Sequence, residues 1–303
     1  MYDVPILFII FRRKDAALQA FERIRQIQPS QLYIAGDGAR AGVAGEAEAV
    51  EQTRQAIVSS VDWPCSVHTL FQPSNLGCMH GVSTAISWLF ENEEYGIILE
   101  DDCVADASFF PFVAELLQRY KDDQRIGMIA GTNQVDTYPM KYSYCFSRYA
   151  ACWGWATWRR AWQHMRLQLD FLTHHQQDVF LNRGYLGKET GRWQFQVDTI
   201  RKNHVNTWDW QWYFSLASQN QLCIFPQCNL ISNIGNDTGA THTSYAGIYM
   251  QSHQLAFPLT HPDYVMPDYG FDKRFYRADN TFSAVMKRLC PYRLKQFLKR
   301  HLH

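Results

Sequence analysis

The chain reads as an α/β fold with a mostly parallel central sheet flanked by helices, and three observations predict it. Two unbroken apolar runs, residues 5–11 (PILFIIF) and 96–103 (GIILEDDC), have the character of strands buried on both faces. Strand, helix and strand patterns alternate from the N-terminus, the order that gives a parallel sheet with right-handed crossovers. The second run ends in Glu100, Asp101 and Asp102, so its acids fall at a strand's carboxyl end, where open α/β sheets place ligands.

The elements follow in order. After strand 5–11 come Arg12, Arg13 and Lys14, and Asp15 can cap a helix whose apolar face is Leu18, Phe21, Ile24 and Ile27. Pro29 and Ser30 end it, residues 31–35 (QLYIA) form strand two, and Gly36-Asp37-Gly38 breaks the chain at that strand's carboxyl end. A helix is expected over 39–60, with Ala47, Val50, Arg54 and Ile57 on one period, then a strand over 66–71 (SVHTLF). Pro73, Asn75 and Gly77 make a turn, and a helix over about 79–90 returns the chain to the acidic strand. A helix over 108–120 and a strand over 126–131 complete the regular part. Residues 149–162 mix Trp with small residues, and 163–205 read as polar and helical, with His174 and His175 on the surface. A short strand at 222–225 leads to an irregular loop over 229–243 that carries His242. No G-x-G-x-x-G follows strand one and no G-x-x-x-x-G-K-[ST] is present, which removes the dinucleotide fold's phosphate loop and the P-loop.

Composition narrows the class. With 303 residues, 47% of them hydrophobic, the chain can bury a substantial core as one large domain or two small ones. Lys plus Arg and Asp plus Glu both total 29, so nothing global suggests a nucleic-acid binder. Eight cysteines with no C-x-x-C argue against a zinc ribbon or redox motif. No charged-then-apolar leader or membrane-length apolar run is present, and a reduced, cytoplasmic protein is the expectation. Basic residues on a helical apolar face over 284–303 suit a helix lying on the inner face of an anionic membrane, or an ordinary solvated terminal helix.

Two acidic features carry chemistry. Crowded carboxylates raise one another's pKa unless a cation offsets them, so Glu100, Asp101 and Asp102 either splay into water or hold a divalent metal with oxygen ligands. Asp209 lies between Trp208 and Trp210, with Trp212 beyond. An apolar cage would lift its pKa toward that of a general base, whereas backbone N–H groups would make it an ordinary core Asp.

Together these pieces resemble the GT-A nucleotide-sugar glycosyltransferases. Residues 98–112 (ILEDDCVADASFFPF) resemble the acidic strand and following helix of the N-acetylglucosaminyltransferase I family. The likeness continues through Trp153-Gly154-Trp155, the Asp209 segment and residues 223–243. The WGWATW and ATHT segments are similar to bacterial family-two-like glycosyltransferases.

The resemblance implies a UDP-sugar donor, Mn²⁺ or Mg²⁺ on its diphosphate, and inverting transfer to a hydroxyl of a glycan or lipid-linked saccharide. It implies Asp102 as direct metal ligand, joined by His242 in the loop over the donor, and Glu100 and Asp101 facing ribose and nucleotide. Asp37 would contact the base, Arg13 would close strand one, His80 would stand at the start of the helix before the acidic strand, and Asp209 would be the catalytic base. Trp153, Trp155, Trp208 and Trp212 are divided between acceptor pocket and core. The corresponding organisation is a nucleotide-sugar half (1–131), an acceptor half of the same domain (132–250) and a C-terminal extension (251–303).

Two other readings compete. A nucleotidyltransferase shares such a sheet but needs a glycine-rich basic loop after strand one, where this chain has Phe11-Arg12-Arg13-Lys14. A non-catalytic carbohydrate-binding homologue would have no use for the acids.

Overall fold

The computed structural model describes residues 2–172, 180, 189–202, 206–235 and 251–279. The N-terminal part runs β1 (Ile6–Ile10), α1 (Lys14–Ile27), β2 (Gln31–Gly36), α2 (Glu46–Ser59), β3 (Ser66–Phe71), α3 (Gly77–Asn92) and β4 (Tyr95–Glu100). It continues through β5 (Cys103–Ala105), α4 (Phe109–Arg119), β6 (Ile126–Ala130), β7 (Tyr144–Ser147), β8 (Trp155–Trp158) and α5 (Arg159–Trp162). The remaining described elements are α6 (Thr190–Arg201), α7 (Asp209–Ser218), β9 (Leu222–Pro226), β10 (Ile231–Asn233) and α8 (Tyr269–Asp279).

Eight strands form one sheet in the order β3-β2-β1-β4-β8-β6-β9-β7. The pairs β2–β3, β1–β2, β1–β4 and β6–β9 are parallel, while β8 runs antiparallel between β4 and β6, and β7 antiparallel at the edge beside β9. This is the mixed α/β, Rossmann-like architecture expected. The period of two along each strand sends side chains to both faces. Ile6, Phe8 and Ile10 of β1 pack with Ala17, Phe21 and Ile24 of α1, and Leu7 packs on the other face with Val82, Ile86 and Leu89 of α3.

Several elements differ from expectation. Helix α2 begins at Glu46 rather than residue 39, because the Arg40 backbone N–H is spent on the Glu46 carboxylate (2.8 Å) instead of a helical carbonyl. Strands β7 and β8 are short and rich in Trp, Tyr and small residues, so periodicity does not announce them. In β8, Trp155 packs on one face while Ala156 and Trp158 pack on the other. Of the helical stretch expected over 163–205, the described helix is α6, and residues 163–172 form turns. His174, His175 and the tail 284–303 lie outside the described residues. Residues 251–279 are not an appendage: Leu255, Leu259, Phe271 and Phe275 are buried, and Tyr149 stacks on Phe275 at 5.2 Å.

Candidate active site

The register of the parallel strands places three turns at one edge. Ile9 of β1 is opposite Glu100 of β4, and Ile10 is opposite Gly36 of β2. The carboxyl ends of β1, β2 and β4 therefore bring the 11–13 turn, Asp37 and the acidic triplet together.

Within the triplet the three acids have different partners. Asp101 is turned inward, 4% exposed, where it accepts from Arg13 and from the Phe11 N–H (3.2 Å). Its carboxylate ties β4 to the turn after β1, where the expectation had it facing the nucleotide. Burial pushes the Asp101 carboxyl up to about 6, against the pull of Arg13. Asp102 accepts from Arg13 Nη2 at 2.9 Å through Oδ2, and the Cys103 thiol lies 3.6 Å from its Oδ1. Glu100 is half-buried; loss of solvation raises its pKa first, the charges of Asp102 and Asp101 add to that, Arg13 opposes, and Asp209 contributes a further rise.

Short ribbon β5–β10 brings a second chain segment against Asp102. The Ile234 N–H donates to the Asp102 carbonyl (2.9 Å) and the Gly235 N–H to Asn233 Oδ1 (2.9 Å). A Cβ at Gly235 would lie 2.1 Å from Asp102 Oδ2 and 2.9 Å from Arg13, so the close approach requires glycine. The chain then runs into residues 236–250, and His242 lies there, outside the described residues.

Asp209 reaches the same edge from the opposite side. It opens α7, and Asn206 just before that helix accepts from the Met79 N–H in the first turn of α3 (3.2 Å). Gln211 also reaches Met79, at 3.4 Å from its sulfur. These ties hold the α7 entrance beside Cys78, whose thiol is pushed up to about 12 by burial and by the charges of Glu100, Asp209, Asp37 and Asp102. The half-buried Cys152 thiol is pushed up by lost solvation first, and the charges of Asp209 and Glu100 add to that. The charges of Glu100, Asp102 and Asp209 thus act on one another and on Cys78 at the α3 N-terminus.

The other expected residues take different places. Asp37 is engaged by four donors: the N–H groups of Gly38, Leu76 and Gly77 at 2.8–2.9 Å, and Asn75 Nδ2 at 2.9 Å. It caps α3 and pins the 75–77 turn, which is the arrangement of a helix-start anchor rather than of a base-reading acid. His80 is exposed and lines a groove along the outer face of α3, so the structure does not bring it to the acids. Trp155, Trp208 and Trp212 are buried with Trp162 in one aromatic cluster, with ring separations of 4.9–6.3 Å, and are core. Trp153 alone of the four is half-buried.

Sequence reasoning missed Asn206, Cys78 and Arg54. Arg54 donates to the carbonyls of Gln72 (2.8 Å) and Asp37 (3.1 Å) and lies 4.8 Å over the Phe71 ring, clamping the ends of β2 and β3. Its signal was present: a guanidinium on the same helical stripe as the buried Val50 and Ile57. Asn206 and Cys78 carry no local signal.

The donor set suits a hard cation only in part. Among the described residues no three His, Cys, Asp or Glu form a cage. Asp102 offers carboxylate oxygens, and around Glu100 the charge of Arg13 is set against those of Asp102, Asp101 and Asp209. That excess of negative charge fits an Mg²⁺- or Mn²⁺-type ion held by one protein carboxylate and completed by phosphate oxygens and water.

No family model matches the chain, and no curated protein matches it. Among solved structures, a cytidylyltransferase from Leptospira borgpetersenii serovar Hardjo-bovis (strain JB197) is 10% identical, with a TM-score of 0.34, over 55% of this chain and 64% of that one. HddC from Yersinia pseudotuberculosis is 9% identical, with a TM-score of 0.28, over 43% of this chain and 57% of that one. The chain spans less than two thirds of either protein. Likeness this slight carries no argument about family or reaction. The expected N-acetylglucosaminyltransferase I family gains no support from it.

Proposed function

We propose that this edge of the sheet binds a nucleotide and that the chain is a nucleotide-dependent transferase, in its finer form a glycosyltransferase using a nucleotide-sugar donor. The observation that carries the reading is the approach of Asp209, at the start of α7, to Glu100, the last residue of β4, where their charges act on one another. Carboxylates on two sides of one space suit a donor diphosphate on one side and an acceptor hydroxyl on the other.

In this reading Asp102 is the residue that would hold a divalent cation, together with the donor's phosphate oxygens. When bound, Mg²⁺ or Mn²⁺ supplies charge stabilisation to a diphosphate leaving group. Arg13 fixes the Asp101 and Asp102 carboxylates, so Asp102 presents oxygens without reorganising. Asp209 accepts the acceptor hydroxyl's proton as that oxygen attacks the anomeric carbon from the face opposite the diphosphate, inverting the centre. UDP is the expected donor nucleotide and a glycan or lipid-linked saccharide the expected acceptor.

Nucleotidyl transfer, the activity for which the Leptospira protein is named, is the competing reaction. Only Phe11, Arg12 and Arg13 separate β1 from α1, and none is glycine, which disfavours a wrapped triphosphate. The test is calorimetry with UDP, GDP, CDP, dTDP and CTP, with and without Mn²⁺, followed by product analysis on the nucleotide that binds. Metal-dependent binding and release of a nucleoside diphosphate from its sugar conjugate support glycosyl transfer. Release of pyrophosphate from the triphosphate with a sugar phosphate replaces it with nucleotidyl transfer, and no nucleotide binding removes both. No helix among the described residues is long and apolar enough to cross a membrane.

A further inference from the structure

Away from the carboxylate edge, the outer face of α3 and the segment that follows α5 enclose a groove of about 600 Å³. Its wall is fixed from both sides: Trp162 Nε1 donates to Ser87 Oγ at 3.0 Å, and Trp88 meets Tyr33 edge-on at 5.1 Å. Two kinds of surface alternate along it. Trp88, Met165 and Leu167 present apolar area, while His80, Thr84 and Glu91 present an imidazole, a hydroxyl and a carboxylate. Positions 80, 84, 88 and 91 share one stripe of the helix, so polar groups and an aromatic ring are spaced along the groove rather than gathered at one end. No lysine or arginine is among the described residues that line it.

We infer that this groove binds a neutral saccharide chain, and, resting on the transferase reading above, that it holds the extended part of the acceptor. An anionic ligand would find no cation there, and a purely apolar one would leave Glu91 and Thr84 facing hydrocarbon. A neutral sugar meets both surfaces: its C–H faces lie on Trp88 and its hydroxyls pair with Thr84, Glu91 and His80. The groove is also placed for it. His80, at one end of the groove, stands two residues beyond Cys78 on another face of the first turn of α3, so the groove begins at the helix end that lies beside the carboxylates.

The experiment titrates chitohexaose, cellohexaose and maltohexaose into the full chain by calorimetry, with Thr84→Trp, Glu91→Gln and Trp88→Ala beside the wild type. At least one hexasaccharide is expected to bind with a Kd below about 10 mM, weakened about tenfold or more by Thr84→Trp and by Trp88→Ala. Thr84 is exposed, so its substitution fills the groove without entering the core, and it keeps the test sound if Trp88→Ala unfolds. Absence of binding by all three sugars, or binding untouched by Thr84→Trp, overturns the inference. Nucleotide binding is titrated on the same samples and is expected unchanged in the Thr84 and Glu91 variants. Saccharide binding without nucleotide binding refutes the transferase reading alone; the converse refutes the groove alone.

Discussion

Arg13 is the residue on which the acidic edge depends, because one guanidinium bridges Asp101 and Asp102. Replacing it by alanine leaves a buried carboxylate without its counter-charge and should cost about 3 kcal/mol in urea unfolding, with part recovered by adding Asp101→Asn. A loss below about 0.5 kcal/mol would show that the pair is solvated. Asp209 makes the opposite kind of prediction. If it is the base, Asp209→Asn should lower kcat by about 10²–10⁴ while nucleotide affinity stays within about twofold. Parallel loss of affinity and rate would assign Asp209 to donor binding instead.

Elements meet at positions where backbone shape matters more than side-chain chemistry. Gly154, before β8, has φ +60°, and a Cβ there would come within 2.5 Å of Ile231 and 3.2 Å of Leu99. Its carbonyl accepts from the Gly131 N–H at 2.7 Å, joining the ends of β6 and β8 behind the acidic strand. Gly154→Ala should destabilise by about 2 kcal/mol, read as a lower denaturant midpoint at unchanged slope. The loop leading into α2 offers a pH test. Hydrogen bonding from Arg40 holds the Glu46 carboxyl down at about 2, below its ordinary 4.5. A depressed carboxyl stabilises the fold above its unfolded pKa and loses that contribution as pH falls through the folded value. The stability gap between wild type and Glu46→Gln should therefore be constant above about pH 5 and close as pH falls toward about 2. A gap that persists at the acid end would place its origin in packing rather than charge.

At the scale of the whole molecule, the chain's last described helix belongs to the core. Phe271 is fully buried, and Phe225, Phe271 and Phe275 lie 5.0–6.0 Å apart, with the Asp272 carboxylate accepting from Ser147 Oγ at 2.5 Å. Cutting the chain after residue 250 should abolish cooperative unfolding, whereas Phe271→Ala should keep it at a cost of about 3–5 kcal/mol. A truncated chain that melted cooperatively would make residues 251–279 dispensable.

The α/β class and the order β1 to β4 were legible in the residues alone. So was the delivery of Glu100, Asp101 and Asp102 to a strand's carboxyl end. Apolar runs, helical periods and turn residues are local signals, and each was legible within a dozen neighbours. Which acid faces where depends on the packing of the folded chain. Arg13 and Asp101 are 88 positions apart in the chain, and the bond that turns Asp101 inward exists because β1 and β4 are neighbours in the sheet. The same holds for Asp37, whose carboxylate is taken by the turn that starts α3, and for Trp155, Trp208 and Trp212, whose burial depends on α5 and α7 covering one sheet face. Residue type states what a side chain can do, and the long-range register of strands and helices settles what it touches.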